Sequence, residues 1–173
     1  MASTLLIVDD DPDLLIALPD TIALRVKDLR VLTAVDAHKA VDVVKTAHPD
    51  IVLTDLIMPG ANGAWLLEAL LHVQPPPVTL LMSAHLDAKD LLQGRGAFAF
   101  VPKPIDREFL AETLHRAMRV ARARRQAYRT ASLVGETAAE AHRVLAAGKD
   151  QMERLRDTLQ AWRDKKQDRS LPM

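Results

Sequence analysis

The sequence predicts a doubly wound α/β domain, a parallel sheet covered by helices on both faces, followed by a helical extension. Five short apolar runs alternate with helical patterns: Leu5–Val8, Val31–Val35, Ile51–Thr54, Val78–Met82 and Phe98–Val101. Each run is continuously hydrophobic, as strands buried on both faces are; strands with one wet face alternate instead. Carboxylates stand at the carboxyl ends of the first and third runs, as Asp9-Asp10-Asp11 and Asp55, where open α/β sheets gather their chemistry.

The elements follow in order. After Leu5–Val8, a helix is expected over about Pro12 to Lys27, with Asp11 as its cap. Pro19 lies inside that helix and predicts a kink or break, because proline has no amide hydrogen and its ring crowds the preceding turn. His48-Pro49-Asp50 sets off the third strand and Pro75-Pro76-Pro77 the fourth, since prolines in series cannot continue a helix. The fifth strand runs into Lys103-Pro104. Asp106 then caps a fifth helix whose Phe109, Leu110, Leu114, Ala117, Met118 and Ala121 form one apolar face for the sheet, while Phe98 on the fifth strand reads as a simple core or surface residue.

Beyond this helix, Ala138, Ala141, Leu145, Gly148, Met152, Leu155, Leu159 and Trp162 repeat at spacings of three and four, the seam of a coiled coil. Its phase extends backwards through Val134, Ala131, Ala127, Arg124 and Val120, which permits one long helix. Ser132, Gly135 and the capping box Thr137-x-x-Glu140 favour two helical segments with a bend near 130–137. The expected domains are 1–122, a compact α/β unit, and 123–173, a helical extension.

A chain of 173 residues with 49% hydrophobic content can bury one ordinary core with length to spare. It has no cysteine, which excludes disulfides and thiolate metal sites and fits a reducing cytosol. No apolar stretch reaches the roughly 20 residues that span a bilayer, and Met1-Ala2-Ser3-Thr4 carries no basic leader, so a cytoplasmic protein without membrane contact is expected. The net charge of zero hides an asymmetry: residues 1–106 hold 14 acidic against 8 basic side chains, a charge of −6, and residues 107–173 hold 9 against 15, a charge of +6. The change falls just after Lys103-Pro104, which suggests a change of role there.

Asp9, Asp10 and Asp55 converge at one sheet edge in such a fold. A cluster of carboxylates is unfavourable without a hard cation, and oxygen donors of this kind suit Mg²⁺. Asp11, beside Pro12, is better read as a helix cap than as a ligand.

Asp9-Asp10, the stretch Asp55-Leu56-Ile57-Met58-Pro59-Gly60-Ala61-Asn62-Gly63, the pair Ser83-Ala84 and Lys103-Pro104 together resemble the receiver domain of two-component response regulators over about residues 3–122. The resemblance implies a flavodoxin-like sheet order. It also implies that Asp55 is the phosphoacceptor, loaded by a histidine kinase or phosphotransfer protein. In receiver-like geometry Asp10 and Asp55 ligate Mg²⁺ directly, Asp9 acts through water, and the backbone carbonyl of Ile57 completes the set. Lys103 resembles the family lysine that reaches the acyl phosphate, in a Lys-Pro peptide that receivers usually keep cis; Pro102 replaces the commoner threonine. Ser83 is expected to donate to a phosphoryl oxygen, Ala84 to leave it room, and Phe100 to act as the aromatic partner in switching. Phe100 lacks the hydroxyl of a tyrosine, so burial alone should favour its inward state.

His85 reads as an exposed loop histidine, and His142 as a solvated helix residue. The resemblance implies a self-phosphorylating acceptor with no turnover substrate, and the seam implies a homodimer through the C-terminal helix. A second reading, nucleic-acid binding, rests on Arg116, Arg119, Arg122, Arg124, Arg125 and Arg129; against it stand the lack of a helix-turn-helix and of stacking aromatics other than Tyr128. A third makes the chain the N-terminal part of a larger enzyme-linked regulator.

Overall fold

The computed structural model describes residues 2–84 and 96–134, with side chains to residue 131. Its elements are β1 (Ser3–Val8), α1 (Pro12–Ala23), β2 (Leu29–Ala34), α2 (Ala37–Ala47), β3 (Ile51–Asp55), α3 (Gly63–Leu70), β4 (Val78–Ser83), β5 (Ala99–Pro102) and α4 (Arg107–Val134). All neighbouring strands pair in parallel, in the order β2-β1-β3-β4-β5. This is the doubly wound order, which reverses direction between β1 and β3 and opens a crevice at their carboxyl ends.

Alternation along the strands splits the core. Leu5, Ile7, Ile51, Leu53, Leu80 and Met82 meet Leu15, Leu18 and Ile22 of α1 and Leu110, Leu114 and Met118 of α4. Leu6, Val8 and Val52 face the other way, against Ala40 and Val44 of α2 and Leu66 and Leu70 of α3. Successive residues of one strand thus feed opposite cores, and that is why the apolar runs are unbroken in sequence. Phe98 lies in the first core, 2% exposed.

The helix caps are those expected at Asp11 and Asp106. Asp11 Oδ1 accepts the amides of Asp13 at 2.9 Å and Leu14 at 3.4 Å, and Asp106 Oδ1 accepts that of Phe109 at 2.8 Å. Of the kink or break expected at Pro19 the break is absent, because α1 passes through it as one element. Leu15, Leu18 and Ile22 are buried on both sides of the proline, and this packing outweighs the lost amide bond. The helix also ends at Ala23 rather than near Lys27. Asp28 turns left-handed, with φ of 57°, to bring the chain into β2. At the other end α4 crosses 122 and stays helical through Val134, so the expected bend does not fall before that residue. The rest of the 130–137 region, the seam from Ala138 to Trp162, and His85 and His142 lie outside the described residues. Among the described residues no helix is long and apolar enough to cross a membrane.

Candidate phosphorylation site

Three strand ends assemble the site. Asp9 follows β1, Asp55 ends β3, and Lys103 follows β5, so parallel pairing brings to one edge residues far apart in sequence. Asp9 is 1% exposed and Asp55 8%, while Asp10 is exposed. One carboxylate oxygen from each of Asp9, Asp10 and Asp55 lies within 4.8 Å of the others. Lys103 Nζ donates to Asp9 Oδ2 at 2.8 Å and to Asp55 Oδ2 at 2.6 Å, so one ammonium bridges the two buried carboxylates. Burial pulls the Lys103 ammonium downward in pKa, but the hydrogen bonds and charges of Asp55 and Asp9 outweigh it and the net shift is upward.

The remaining oxygens are also held. Asp9 Oδ1 accepts the Asp11 amide at 2.9 Å, and Asp55 Oδ1 accepts the Ile57 amide at 3.2 Å. The Ile57 side chain is exposed, which leaves its residue in this cluster through the backbone alone. Lys103 is positioned from behind, since its amide donates to the Ser83 carbonyl at 2.9 Å, and the Lys103–Pro104 peptide is cis. Ser83 ends β4 and is 1% exposed, opposite Pro102 in the register. Phe100 is 7% exposed, packed among Leu56, Ala64, Leu67, Leu81 and Ala97.

Gly63 is a positioning residue whose part was not drawn out of its motif. A β-carbon there would lie 2.1 Å from the Asp55 carbonyl oxygen and 2.9 Å from Leu56 Cα. Its amide donates to the Leu56 carbonyl at 3.1 Å. The start of α3 therefore presses directly on the backbone of Asp55. The signal in sequence was a glycine at the first position of a helix, directly after the cap Asn62.

The basic row on α4 is not uniform. Arg125 is paired with Asp50, and Arg124 donates through Nη1 to the Pro77 carbonyl at 3.3 Å, both at the opposite edge of the sheet. These two are engaged by the domain itself. Burial, and then the neighbouring Arg119, lower the pKa of Arg116.

The response regulator receiver domain family matches residues 5–115. The chain belongs to this family. Among curated relatives it is 33% identical over 114 residues to the DNA-binding transcriptional regulator NtrC of Klebsiella pneumoniae, covering 65% of this chain and 24% of that protein. It is 36% identical over 106 residues to the DNA-binding response regulator MtrA of Mycolicibacterium smegmatis, covering 60% of this chain and 45% of that one. The chain thus spans between a quarter and a half of these two relatives. The signal receiver domain of an HD domain-containing protein from Pseudomonas fluorescens has the same fold, with a TM-score of 0.65 at 20% identity over 71% of this chain and 99% of that one. The flavodoxin-like sheet order expected from the resemblance is the one observed.

Proposed function

We propose that the chain is the phosphorylation-dependent switch of a two-component phosphorelay, with Asp55 accepting a phosphoryl group from a histidine kinase or phosphotransfer protein. The observation that carries this is the Lys103 ammonium shared by Asp9 and Asp55 at the carboxyl edge of a receiver fold. An Asp55 oxygen attacks phosphorus while the phosphorus–nitrogen bond of the donor breaks, and the imidazole nitrogen leaves with the electron pair. Lys103 then exchanges a carboxylate oxygen for a phosphoryl oxygen, at little positional cost because its amide is fixed to Ser83.

The carboxylate cluster fits Mg²⁺ by its chemistry, three hard oxygen donors gathered at a partly open edge. Asp10 and Asp55 would hold the ion directly, Asp9 through water, and Ile57 through its carbonyl. When bound, it supplies neutralisation of the charge that spreads over the phosphoryl oxygens. Ser83 is the hydroxyl that donates to the phosphoryl group, and Phe100, already buried, reports the change through β5. Phosphorylation thereby shifts the balance between two packings of this face. Residues 123–173 act as the output extension and pair two copies through the seam of Leu145, Met152, Leu155, Leu159 and Trp162.

Incubation with a small acyl phosphate and Mg²⁺, followed by intact mass measurement, tests this reading. The native chain gains one phosphoryl group; Asp55→Asn, or the native chain with a chelator, gains none. Stoichiometric label on the Asn variant would remove Asp55 from its role. Sedimentation of the native chain as a monomer at micromolar concentration, with and without phosphorylation, would remove the seam from its role.

A further inference from the structure

The burial of α4 stops well before its end. Leu110, Leu114, Ala117, Met118, Val120 and Ala121 are buried, but after Ala121 no described residue of the helix is. The helix nevertheless continues through Val134, and two polar contacts replace apolar packing just where that packing ends. Arg125 pairs with Asp50, whose carboxylate is only 10% exposed, and Arg124 reaches the Pro77 carbonyl.

Asp50 is unusually well fixed for such a role. Its other carboxylate oxygen accepts the Thr4 amide at 2.8 Å, its amide donates to the Thr4 carbonyl at 2.8 Å, and its carbonyl accepts the Val78 amide at 2.9 Å. It therefore ties together the starts of β1, β3 and β4. A charge held by three strands is a rigid post, and Arg125 brings the helix to it.

From this geometry we infer that the Asp50–Arg125 pair is a clamp that fixes the direction in which α4 leaves the domain. It makes Arg125 a positioning residue for the output extension. The clamp acts by pinning the fourth residue past the last buried one, so the remainder of the helix projects as a continuation of a fixed lever rather than as a frayed end. At about 1.5 Å of rise per residue, a small change of angle at this point grows into a large displacement further along the helix. Arg124 supports the clamp from the β4 side. The inference rests on the contacts at the base of the sheet and not on the phosphorylation reading.

The absence of cysteine allows the direction to be measured on the full chain. Spin labels on His72→Cys, exposed beyond α3, and on Thr130→Cys, exposed on α4, report the distance between domain and lever. The labelled native chain is expected to give one narrow distance distribution, Arg125→Gln a broad one, and Arg125→Lys, which retains a charge within reach, a largely narrow one. Amide exchange over residues 122–131 should quicken about tenfold in Arg125→Gln, while amides of β1, β3 and β4 keep their native rates. Asp50→Asn combined with Arg125→Gln should broaden the distribution no further than Arg125→Gln alone, since the two act as one unit. An unchanged distribution in Arg125→Gln would overturn the clamp. So would an equal quickening of exchange in the strands, which would mark Arg125 as a residue of general stability. Uptake of phosphate from a small acyl phosphate should be native in Arg125→Gln; its failure in native and variant alike would refute the phosphorylation reading and leave the clamp standing.

Discussion

The two edges of the sheet handle charge in opposite ways. At the carboxyl edge three carboxylates gather about a single lysine that pairs with two of them, so negative charge is left in excess and an incoming cation has something to act on. At the amino edge one carboxylate meets one guanidinium, and the remaining oxygen of Asp50 is occupied by a backbone amide. The first arrangement is unbalanced and can be changed by a ligand; the second is closed. The same strand, β3, ends in one and is preceded by the other. The contrast teaches that burial of charge does not distinguish the two edges, and that the mismatch of charge does.

The largest departure from the native state is expected for Gly63→Ala. The new methyl carbon would collide with backbone, not with a flexible side chain, so α3 and the Asp55 carbonyl must separate. A loss of about 1–3 kcal/mol or more is expected in denaturant unfolding, together with slower phosphate uptake on the proposed reading, because Asp55 itself moves. Native stability and uptake in this variant would show that the close approach is dispensable.

Next in size is Lys103→Met, which leaves the carboxyl edge with carboxylates alone. Without Mg²⁺ it should lose about 1–3 kcal/mol, as charge-assisted hydrogen bonds are removed, and adding Mg²⁺ should narrow the gap to the native chain. The pH dependence has a definite sign. Because the folded chain holds the Lys103 proton more tightly than the unfolded one, its stabilisation is complete below the ordinary lysine range and is lost as the pH rises through the raised value. The metal-free difference between native and variant should therefore shrink only at strongly alkaline pH. A gap unaffected by Mg²⁺ would break the picture of an unbalanced edge.

The smallest effect is expected at the amino edge, for Arg124→Met. Arg124 gains one hydrogen bond to the Pro77 carbonyl, but its Nε is buried among the described residues without a partner, and burial lowers its pKa. These terms oppose each other, and thermal unfolding should move by less than about 1 kcal/mol. A much larger loss would mean that Arg124, and not Arg125, is the principal anchor.

Much of this was legible in the sequence, and the reasons differ by region. The five strands were visible because unbroken apolar runs record burial on both faces, and the runs differ from the observed strands by a residue or two at their ends. Asp9, Asp10, Asp55 and Lys103 were found because their neighbours form motifs at fixed spacing. Pro19 does not break α1, because the packing of Leu15, Leu18 and Ile22 on both sides of it is not visible in local backbone chemistry. Asp50 and Arg125 went unpaired because they lie 75 residues apart, and a count of arginines cannot say which ones the fold itself will engage. Gly63 was seen as part of a motif, but its closeness to the Asp55 backbone is a fact of three-dimensional contact.

Lys103 has a further consequence. Because a resident ammonium already screens Asp9 and Asp55, the acidic edge is self-neutralising to a degree, and an ion arriving there takes part in an exchange rather than a simple filling. Its measured affinity is a difference between two cations' hold on the same oxygens. That difference grows whenever the lysine is offered another anion. On the phosphorylation reading proposed above, an acyl phosphate on Asp55 would be such an anion, and by reciprocity ion and phosphoryl group would each tighten the binding of the other through one side chain.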